Sequence, residues 1–469
     1  MSTVAIATHD IRRLLVANRG EIAVRIIRAC RALGIEAIAA VSEPDRESAA
    51  ARMADGVVHI GPGPAAESYL RADKLIAAAL ESGCDAVHPG YGFLSERAHF
   101  VRACRAANLV FVGPSPEAIE AMGEKITAVQ LAEKAGVPRV PGSAELENAE
   151  AAREFAGKVG LPILIKASAG GGGRGMRVVR DLAQVEASFE AATSEAKSAF
   201  GDAAVYAEKY IERARHIEIQ IMADAHGNFV HLGERECSTQ RRYQKLIEEA
   251  PSPSITEDVR HRMGSYALEL ARSVSYQGAG TVEFVMDEDT GAFYFLEMNT
   301  RIQVEHPITE MVTGVDLVAE QIRVACGLPL SFSQSDIELK GHAIECRINA
   351  ENPLKGFVPS PGVISVWEQP EFEGLRIDTH CSAGSKIPPF YDSLIAKVIV
   401  HDLDRSLAIE KMLRALSQLK IEGLATTADF HQAVLSHDDF RSARVTTRWV
   451  EDAFISQWNA ARKKKDATQ

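Results

Sequence analysis

The sequence predicts a multidomain protein of mixed α/β and α+β class. Three observations carry that expectation. Residues 11–113 alternate short apolar runs with amphipathic stretches, the pattern of strands and helices in turn. A strand, a glycine-rich loop and a second strand follow one another within 161–180. From Gly341 onward the chain turns β-rich again. At 469 residues there is room for about three domains.

Composition narrows the function. With 46% hydrophobic and 25% charged residues the chain has the make-up of an ordinary globular protein that can bury large cores. A net charge of −12, from 52 basic and 64 acidic residues, argues against a nucleic-acid binder, which needs a basic footprint. It leaves room for a local basic pocket around a phosphate ligand. Seven cysteines with no Cys-x-x-Cys pair point to reduced thiols and a cytoplasmic location. The N-terminus MSTVAIATHD lacks the pattern of a secretory signal. No apolar stretch approaches the roughly 20 residues that span a membrane.

The elements follow in order. Arg13–Ala17 reads as a buried strand, Asn18–Gly20 as a tight turn, and Glu21–Leu33 as a helix with apolar residues at Ile22, Ile26, Ala29 and Leu33. Gly34 stops it, and Ile35–Val41 is the next strand. This βαβ unit implies a parallel sheet covered by helices. Further strands are expected at Asp85–His88 and Leu109–Gly113. Between them His88–Glu96 (HPGYGFLSE) lies at the C-terminal end of a strand, the edge where open α/β sheets bind ligands. A single helix is expected over Glu117–Gly136, carrying Lys125, before Val137–Gly142 breaks the chain.

Leu161–Arg180 reads LPILIKASAGGGGRGMRVVR. The spacing Gly170-x-Gly172-x-x-Gly175 formally matches a dinucleotide fingerprint, but that fingerprint must open a helix, and here the strand-like Met176–Val179 follows. Strand, glycine loop, strand is instead the layout of a flap whose backbone N–H groups can approach phosphates closely. Lys166 and Arg174 add positive charge. No Walker A sequence occurs, which excludes a P-loop NTPase. Val205–Ile211 reads as a strand ending in a polar hinge, Glu208 and Lys209, and Arg215–Gln220 as an alternating strand. Glu234–Lys245 (ERECSTQRRYQK) packs so many charges together that its ordinary reading is a solvated loop. Glu257–Val274 is a helix.

The richest stretch is Thr281–Pro307, TVEFVMDEDTGAFYFLEMNTRIQVEHP. Two apolar runs, Thr281–Met286 and Phe293–Met298, flank the acidic turn Asp287–Gly291 and read as a β-hairpin. Alternation along the strand puts Glu297, Asn299 and, if the strand stays extended that far, Arg301 on one face, with Glu283 of the partner strand reaching the same face. Two carboxylates and an amide oxygen suit a hard cation such as Mg²⁺. Arg301, Gln303, Glu305 and His306 follow at once. A metal, a cation and a carboxylate so close together point to phosphoryl chemistry on an anionic substrate. Beyond Gly341, strands are expected at His342–Ile348 (with Arg347 inside it), Gly362–Trp367, Gly374–Ile377 and Ser393–Val400, with helices at Ser406–Leu416 and Trp449–Ala461.

Four motifs in one order, the glycine loop, ERxCSxQRRxQK, EMNTRIQVEHP and GHAIECRINAE, make the chain resemble the biotin carboxylase component of biotin-dependent carboxylases, from about Arg12 to beyond residue 450. The resemblance implies an ATP-grasp fold. A Rossmann-like N-terminal domain would occupy 11–125, an ATP-grasp domain 126–330 with a mobile lid at about 140–211, and a mixed C-terminal domain 341–455. It implies that Lys125, Lys166, Gly172, Gly173, Glu208, Lys209, Ile211, His216, Tyr243 and Glu283 bind ATP. Glu283, Glu297 and Asn299 would hold Mg²⁺ or Mn²⁺. Lys245, Arg301, Gln303 and Val304 would hold bicarbonate, Arg301, Glu305 and Lys245 would be catalytic with Glu305 as general base, and Arg347 and Tyr91 would meet biotin.

Two positions depart from the family pattern. Tyr243 stands where members commonly carry histidine near the ribose, and Ser385 where tyrosine is more usual. No Met-Lys pair marks a biotin acceptor, so biotin is expected on a separate carrier protein, with a separate carboxyltransferase and a homodimer of this chain. Acetyl-CoA is the expected final acceptor; propionyl-CoA, pyruvate and urea systems are the alternatives. Another ATP-grasp ligase would share the flap and the metal pair, but has no reason to keep RIQVEHP and ECRINAE. A non-catalytic nucleotide-sensing role is motivated by Tyr243 alone.

Overall fold

The computed structural model describes residues 9–167, 176–200 and 203–466. The chain forms two compact units, one of residues 1–137, 215–284 and 296–469, the other of residues 138–214 and 285–295.

In the first unit, β1 (Arg13–Val16), β2 (Glu36–Ser42), β3 (Gly56–Gly61), β4 (Ala86–His88) and β5 (Val110–Phe111) form a parallel sheet in the order β3-β2-β1-β4-β5. The sequence reading passed over β3, an edge strand with alternating exposure. Strand order reverses between β1 and β4, so the loops that leave them meet. Asn18 binds them together, its Nδ2 donating to the carbonyls of Pro89 at 2.6 Å and Tyr91 at 2.8 Å. The helix expected over Glu117–Gly136 is two helices, Pro116–Gly123 and Lys125–Lys134, because Glu124 takes an extended conformation (φ −87°, ψ 109°).

A second sheet belongs to the same unit apart from Ala214 and from residues 285–295 at the tip of one hairpin. It holds β10 (Ala214–Ala223), β11 (Phe229–Arg241), β12 (Gln244–Ala250), β13 (Gly278–Asp287), β14 (Phe293–Asn299), β15 (His342–Asn349) and the strands Leu375–Thr379 and Leu394–Asp402. The order is β14-β13-β10-β11-β12-β15, then Leu394–Asp402, then Leu375–Thr379 at the edge. Three strands of the β-rich C-terminal part thus extend the central sheet, while its short strands, such as Gly362–Val363 with Lys386–Ile387 and Val366–Glu368 with Lys420–Glu422, pair among themselves. The joint is the antiparallel pairing of β12 with β15, Ile247 opposite Cys346 and Glu248 opposite Glu345. On the other side of β15, Gly341 allows close approach to the strand Leu394–Asp402: a Cβ there would lie 2.2 Å from the Asp402 carbonyl oxygen.

The two faces of this sheet differ in kind, as period-2 alternation requires. Ile344, Cys346, Ile348, Val398 and Val400 face an apolar core with Met412 of helix Arg405–Gln418 and Phe430 of helix Ala428–Leu435. Phe430 sits edge-on to Phe357, Phe454 and Trp458 at 5.0, 5.3 and 5.1 Å between ring centres. Truncating a ring in such a core costs about 3–5 kcal/mol. On the other face stand Glu248, Glu345, Arg347, Lys397 and Asp378, cross-strand neighbours in register. Helices His306–Thr313 and Gly20–Ala32 pack over that charged face. Gly314, left-handed at φ 74°, ends the first of them.

The expectation of a solvated loop at Glu234–Lys245 is overturned. The segment forms most of β11 and the start of β12, and Glu234 through Gln240 are all buried. Its buried charges are tolerated because each meets an opposite charge from elsewhere in the chain, Arg260 on Glu234, Glu218 on Arg235 and Arg215 on Glu236. The hairpin turns at Arg242 and Tyr243, both in the left-handed region (φ 48° and 63°).

The second unit carries β6 (Gly142–Glu145), β7 (Ile163–Ala167), β8 (Met176–Val179) and β9 (Val205–Lys209) in the order β6-β9-β7-β8. Ile163, Ile165, Val179, Val205 and Ala207 form its core with Ala152, Ala156 and Ala192 of the helices Ala149–Val159 and Val185–Phe200. Strand, glycine segment, strand is therefore correct as a topology, Lys166 pairing with Met176. Gly172, Gly173 and Arg174 lie outside the described residues. No helix among the described residues is long and apolar enough to cross a membrane.

Candidate active site

The site of the first unit is built around Glu305, the residue before helix His306–Thr313, wholly buried beneath the sheet. Each of its oxygens meets a cation. Lys245 of β12 donates to Oε1 at 2.6 Å, and Arg347 of β15 donates to Oε2 at 2.8 Å. The β12–β15 pairing is what brings these two cations to one carboxylate. Lys245 also donates to Glu218 Oε2 at 2.5 Å and Glu283 Oε1 at 3.0 Å. Arg347 donates through Nε to Glu248 Oε1 at 2.5 Å. Behind Glu218 lies Arg235, fully buried, donating to Glu218 Oε1 (2.5 Å), Gln220 (2.7 Å), Thr309 (2.9 Å) and Thr281 (3.1 Å).

Charge in this cluster is unevenly shared. Burial raises the pKa of Glu305, but Lys245, Arg347 and Arg235 outweigh it and hold the carboxyl well below its usual range. Burial also opposes ionisation of Glu283, and Lys245 and His216 again prevail and lower it. For Glu218 burial and the neighbouring Glu305 win over its cations, so its pKa rises. Glu248 is pushed up to about 7 by burial, with Arg347 working against the rise. Burial pushes Glu345 well above the carboxylate range, and neither of its oxygens has a hydrogen-bond partner among the described residues. Lys245 stays an ammonium because Glu218 and Glu305 overcome the cost of burying it. Ionisation is thus favoured at Glu305 and Glu283 and opposed by burial at Glu218, Glu248 and Glu345.

The hairpin β13–β14 forms as expected and presents the rest. Asn299 and Gln303 donate to Glu283 Oε1 at 2.9 and 3.1 Å, and His216 Nε2 lies 2.8 Å from Glu283 Oε2. The strand ends at Asn299, so Arg301 reaches the site from the following bend. It donates to Glu96 (2.9 Å), Gln303 (2.8 Å) and Asn299 (3.1 Å). Glu297 stands on the open side, with no cation at ion-pair distance among the described residues; burial and the charges of Glu283 and Glu96 raise its pKa. An unneutralised carboxylate beside a second one and an amide, all oxygen donors, fits a hard divalent cation. Val304 is half-buried, and its carbonyl accepts from Lys397 at 2.8 Å. The Tyr91 hydroxyl donates to Glu21.

Of the residues expected at ATP, Lys125, itself exposed, opens a helix of the first unit, while Lys166, Glu208, Lys209 and Ile211 belong to the second. Lys166 pairs with Glu208. The Lys209 N–H donates to Pro141 at 2.8 Å and its ammonium to the carbonyls of Gly160 (3.1 Å) and Leu161 (3.0 Å). Tyr243 stands at the hairpin tip, 88% exposed. Ser385 accepts from the Ser382 N–H at 2.9 Å in a surface turn.

The sequence reading missed Glu218, Arg235, Glu248 and Glu96. A signal existed for Glu218, since alternation places it with His216 and Gln220 on one face of β10. For Glu96 the signal was the ligand-side loop His88–Glu96, though its partner Arg301 lies far away (|i−j| of 205); none existed for Glu248, whose role follows from Arg347 (|i−j| of 99).

Comparison with known proteins supplies the family. Residues 10–119 match the model described as "Biotin carboxylase, N-terminal domain", residues 124–333 "Carbamoyl-phosphate synthase L chain, ATP binding domain", and residues 345–452 "Biotin carboxylase C-terminal domain". The chain is 52% identical over 442 residues to biotin carboxylase 1 of Bacillus subtilis, covering 94% of this chain and 98% of that one. It is also 52% identical over 441 residues to a pyruvate carboxylase subunit of Methanothermobacter thermautotrophicus, covering 94% and 89%. A solved neighbour is the biotin carboxylase domain dimer of Hydrogenobacter thermophilus 2-oxoglutarate carboxylase, in complex with MgADP, ADP and bicarbonate. The TM-score is 0.84 at 46% identity, covering 95% of this chain and 98% of that one.

Proposed function

This chain belongs to the biotin carboxylase family, and from that premise we infer that it carboxylates biotin at the expense of ATP, with bicarbonate as the carbon source. The observation that carries the reading is the Glu305 carboxylate held 2.6 Å from Lys245 and 2.8 Å from Arg347.

Bicarbonate is a poor nucleophile, and its proton must leave before it attacks phosphorus. As it stands, Glu305 is too well stabilised by cations to be a strong base. Bicarbonate held by Lys245, Arg301, Gln303 and the Val304 backbone competes for the same positive charge. Glu305 loses part of its stabilisation, its proton affinity rises, and it accepts the bicarbonate proton. The bicarbonate oxygen then displaces ADP from the γ-phosphorus, giving carboxyphosphate. Arg301 and Lys245 offset the repulsion of two anions brought together. Glu283, Glu297 and Asn299 would hold Mg²⁺ or Mn²⁺, which when bound neutralises charge on the phosphoryl oxygens.

Lys125, Lys166, Gly172, Gly173, Glu208, Lys209, Ile211, His216 and Tyr243 bind the nucleotide in this reading, and residues 140–211 serve as the lid that excludes water. Carboxyphosphate breaks to CO₂ and phosphate, and the phosphate removes the ureido proton of biotin, whose nitrogen captures CO₂. Arg347 stabilises the charge that develops on the ureido oxygen, and Tyr91 meets the ring.

ADP release is expected to require bicarbonate and to rise with free biotin. Equal ADP release in bicarbonate-depleted buffer would reject the mechanism. Tyr243→His is expected to change KM for ATP by about tenfold or less, the size of one neutral hydrogen bond, and to leave kcat near wild type. Steady-state kinetics at varied ATP check this, and a loss confined to kcat contradicts it.

Our reading also places biotin on a separate carrier protein, with a separate carboxyltransferase, and the chain in a homodimer. The three domains are proposed at 11–125, 126–330 and 341–455. Seven cysteines without a disulfide support a cytoplasmic location. Acetyl-CoA is the proposed final acceptor. The kinship with a protein named for pyruvate keeps a second reading alive, and assay of the co-purified carrier and transferase decides between them.

A further inference from the structure

Lys397 has no part in the chemistry above, yet it is among the most costly residues in the chain. It lies on the strand Leu394–Asp402 with no solvent exposure. A buried ammonium is kept only where its environment repays several kcal/mol of desolvation. Its surroundings are specific. Nζ donates to the Val304 carbonyl at 2.8 Å, lies 3.2 Å from Glu21 Oε1 and 4.0 Å from Asp378 Oδ2. Glu21, itself 3% exposed, accepts the Tyr91 hydroxyl on the same Oε1. Across the sheet Lys397 is flanked in register by Arg347 and Asp378. A methionine, one atom shorter, would fill most of the same space without the desolvation cost, so packing alone does not account for a lysine here.

We infer that Lys397 is a positioning residue of the reaction: its ammonium clamps the Val304 carbonyl and, through Glu21, ties the turn that carries Glu305 to the Tyr91 phenol. The Val304 carbonyl and the Glu305 N–H belong to one rigid peptide plane. Holding that oxygen fixes the direction in which Glu305 leaves the backbone toward Lys245 and Arg347. The neighbouring His306 side chain accepts no share of this task, its Nδ1 contacting the Gln303 carbonyl at 2.7 Å. Glu21 and Asp378 overcome burial and raise the lysine pKa, so the clamp stays cationic. The same ammonium thus serves the two turns proposed for bicarbonate and biotin, and this inference rests on that assignment.

The test compares Lys397→Met with Lys397→Gln, which keeps an N–H for the Val304 oxygen, in bicarbonate- and biotin-dependent ADP release. Lys397→Met is expected to lower kcat/KM for bicarbonate about 10- to 100-fold, the effect of losing one charge-assisted hydrogen bond. KM for ATP should stay near wild type, and Lys397→Gln should recover part of the loss. If Lys397→Met does not fold, Lys397→Met in a Glu21→Gln background removes both buried charges together and carries the same expectation. Bicarbonate kinetics equal to wild type in a folded variant, or equal losses for ATP and bicarbonate, overturn the clamp. Wild-type ADP release that ignores bicarbonate overturns instead the functional reading on which it rests.

Discussion

Glu305→Gln is expected to lower bicarbonate-dependent ADP release by about 10²–10⁴-fold, the range for a lost general base. The substitution keeps the shape of the side chain and one oxygen for Lys245 or Arg347, so the fold should persist. What it removes is the ionised carboxylate held by both β12 and β15 cations, 2.6 Å from Lys245 and 2.8 Å from Arg347. An amide cannot take the bicarbonate proton. ATP binding, measured by calorimetry with a non-hydrolysable analogue, should stay near wild type, which separates a chemical defect from a binding one. A rate loss smaller than tenfold would mean that another group is the base, and Glu218 would be the next to test.

Arg235→Met should be the most destabilising single change near the site. The guanidinium makes four hydrogen bonds, to Glu218, Gln220, Thr281 and Thr309, with no exposure to water. Methionine leaves all four partners without their donor. Breaking one side of a buried ion pair costs about 3–5 kcal/mol. In a unit of this size that lowers Tm by about 4–6 °C. Differential scanning calorimetry measures it, and a loss below about 1 kcal/mol, the value of a surface pair, would contradict the argument. Combining Arg235→Met with Glu218→Gln should recover part of the loss, since no buried carboxylate is then stranded.

How far the sequence was legible depended on the range of the interactions. Local periodicity placed the first βαβ unit, the β13–β14 hairpin and the strands around the glycine loop. It placed Glu283 and Asn299 on one face, and they meet at 2.9 Å. It failed where one segment is neutralised by another far away. Glu234–Lys245 looked solvated because nothing local says that Glu218, Arg260 and Glu305 will supply its counter-charges. The pairing of β12 with β15, which delivers Arg347 to Glu305, joins segments about 100 residues apart (|i−j| of 99 between Arg347 and Glu248) and leaves no local trace. The glycine loop, the strongest nucleotide signal, falls outside the described residues.

The seam between β12 and β15 bears on how the chain can be taken apart. The family models place a border between residues 333 and 345, as if one module ended and another began there. A polypeptide cut at that border would keep Lys245 and lose Arg347, leaving Glu305 with one cation. It would also bare the backbone of β12 over Ile247–Ala250, an open edge ready to pair with any other strand. Sequence modularity and physical autonomy therefore part company here: recombination, domain exchange or a split at residue 340 divides the reactive centre itself.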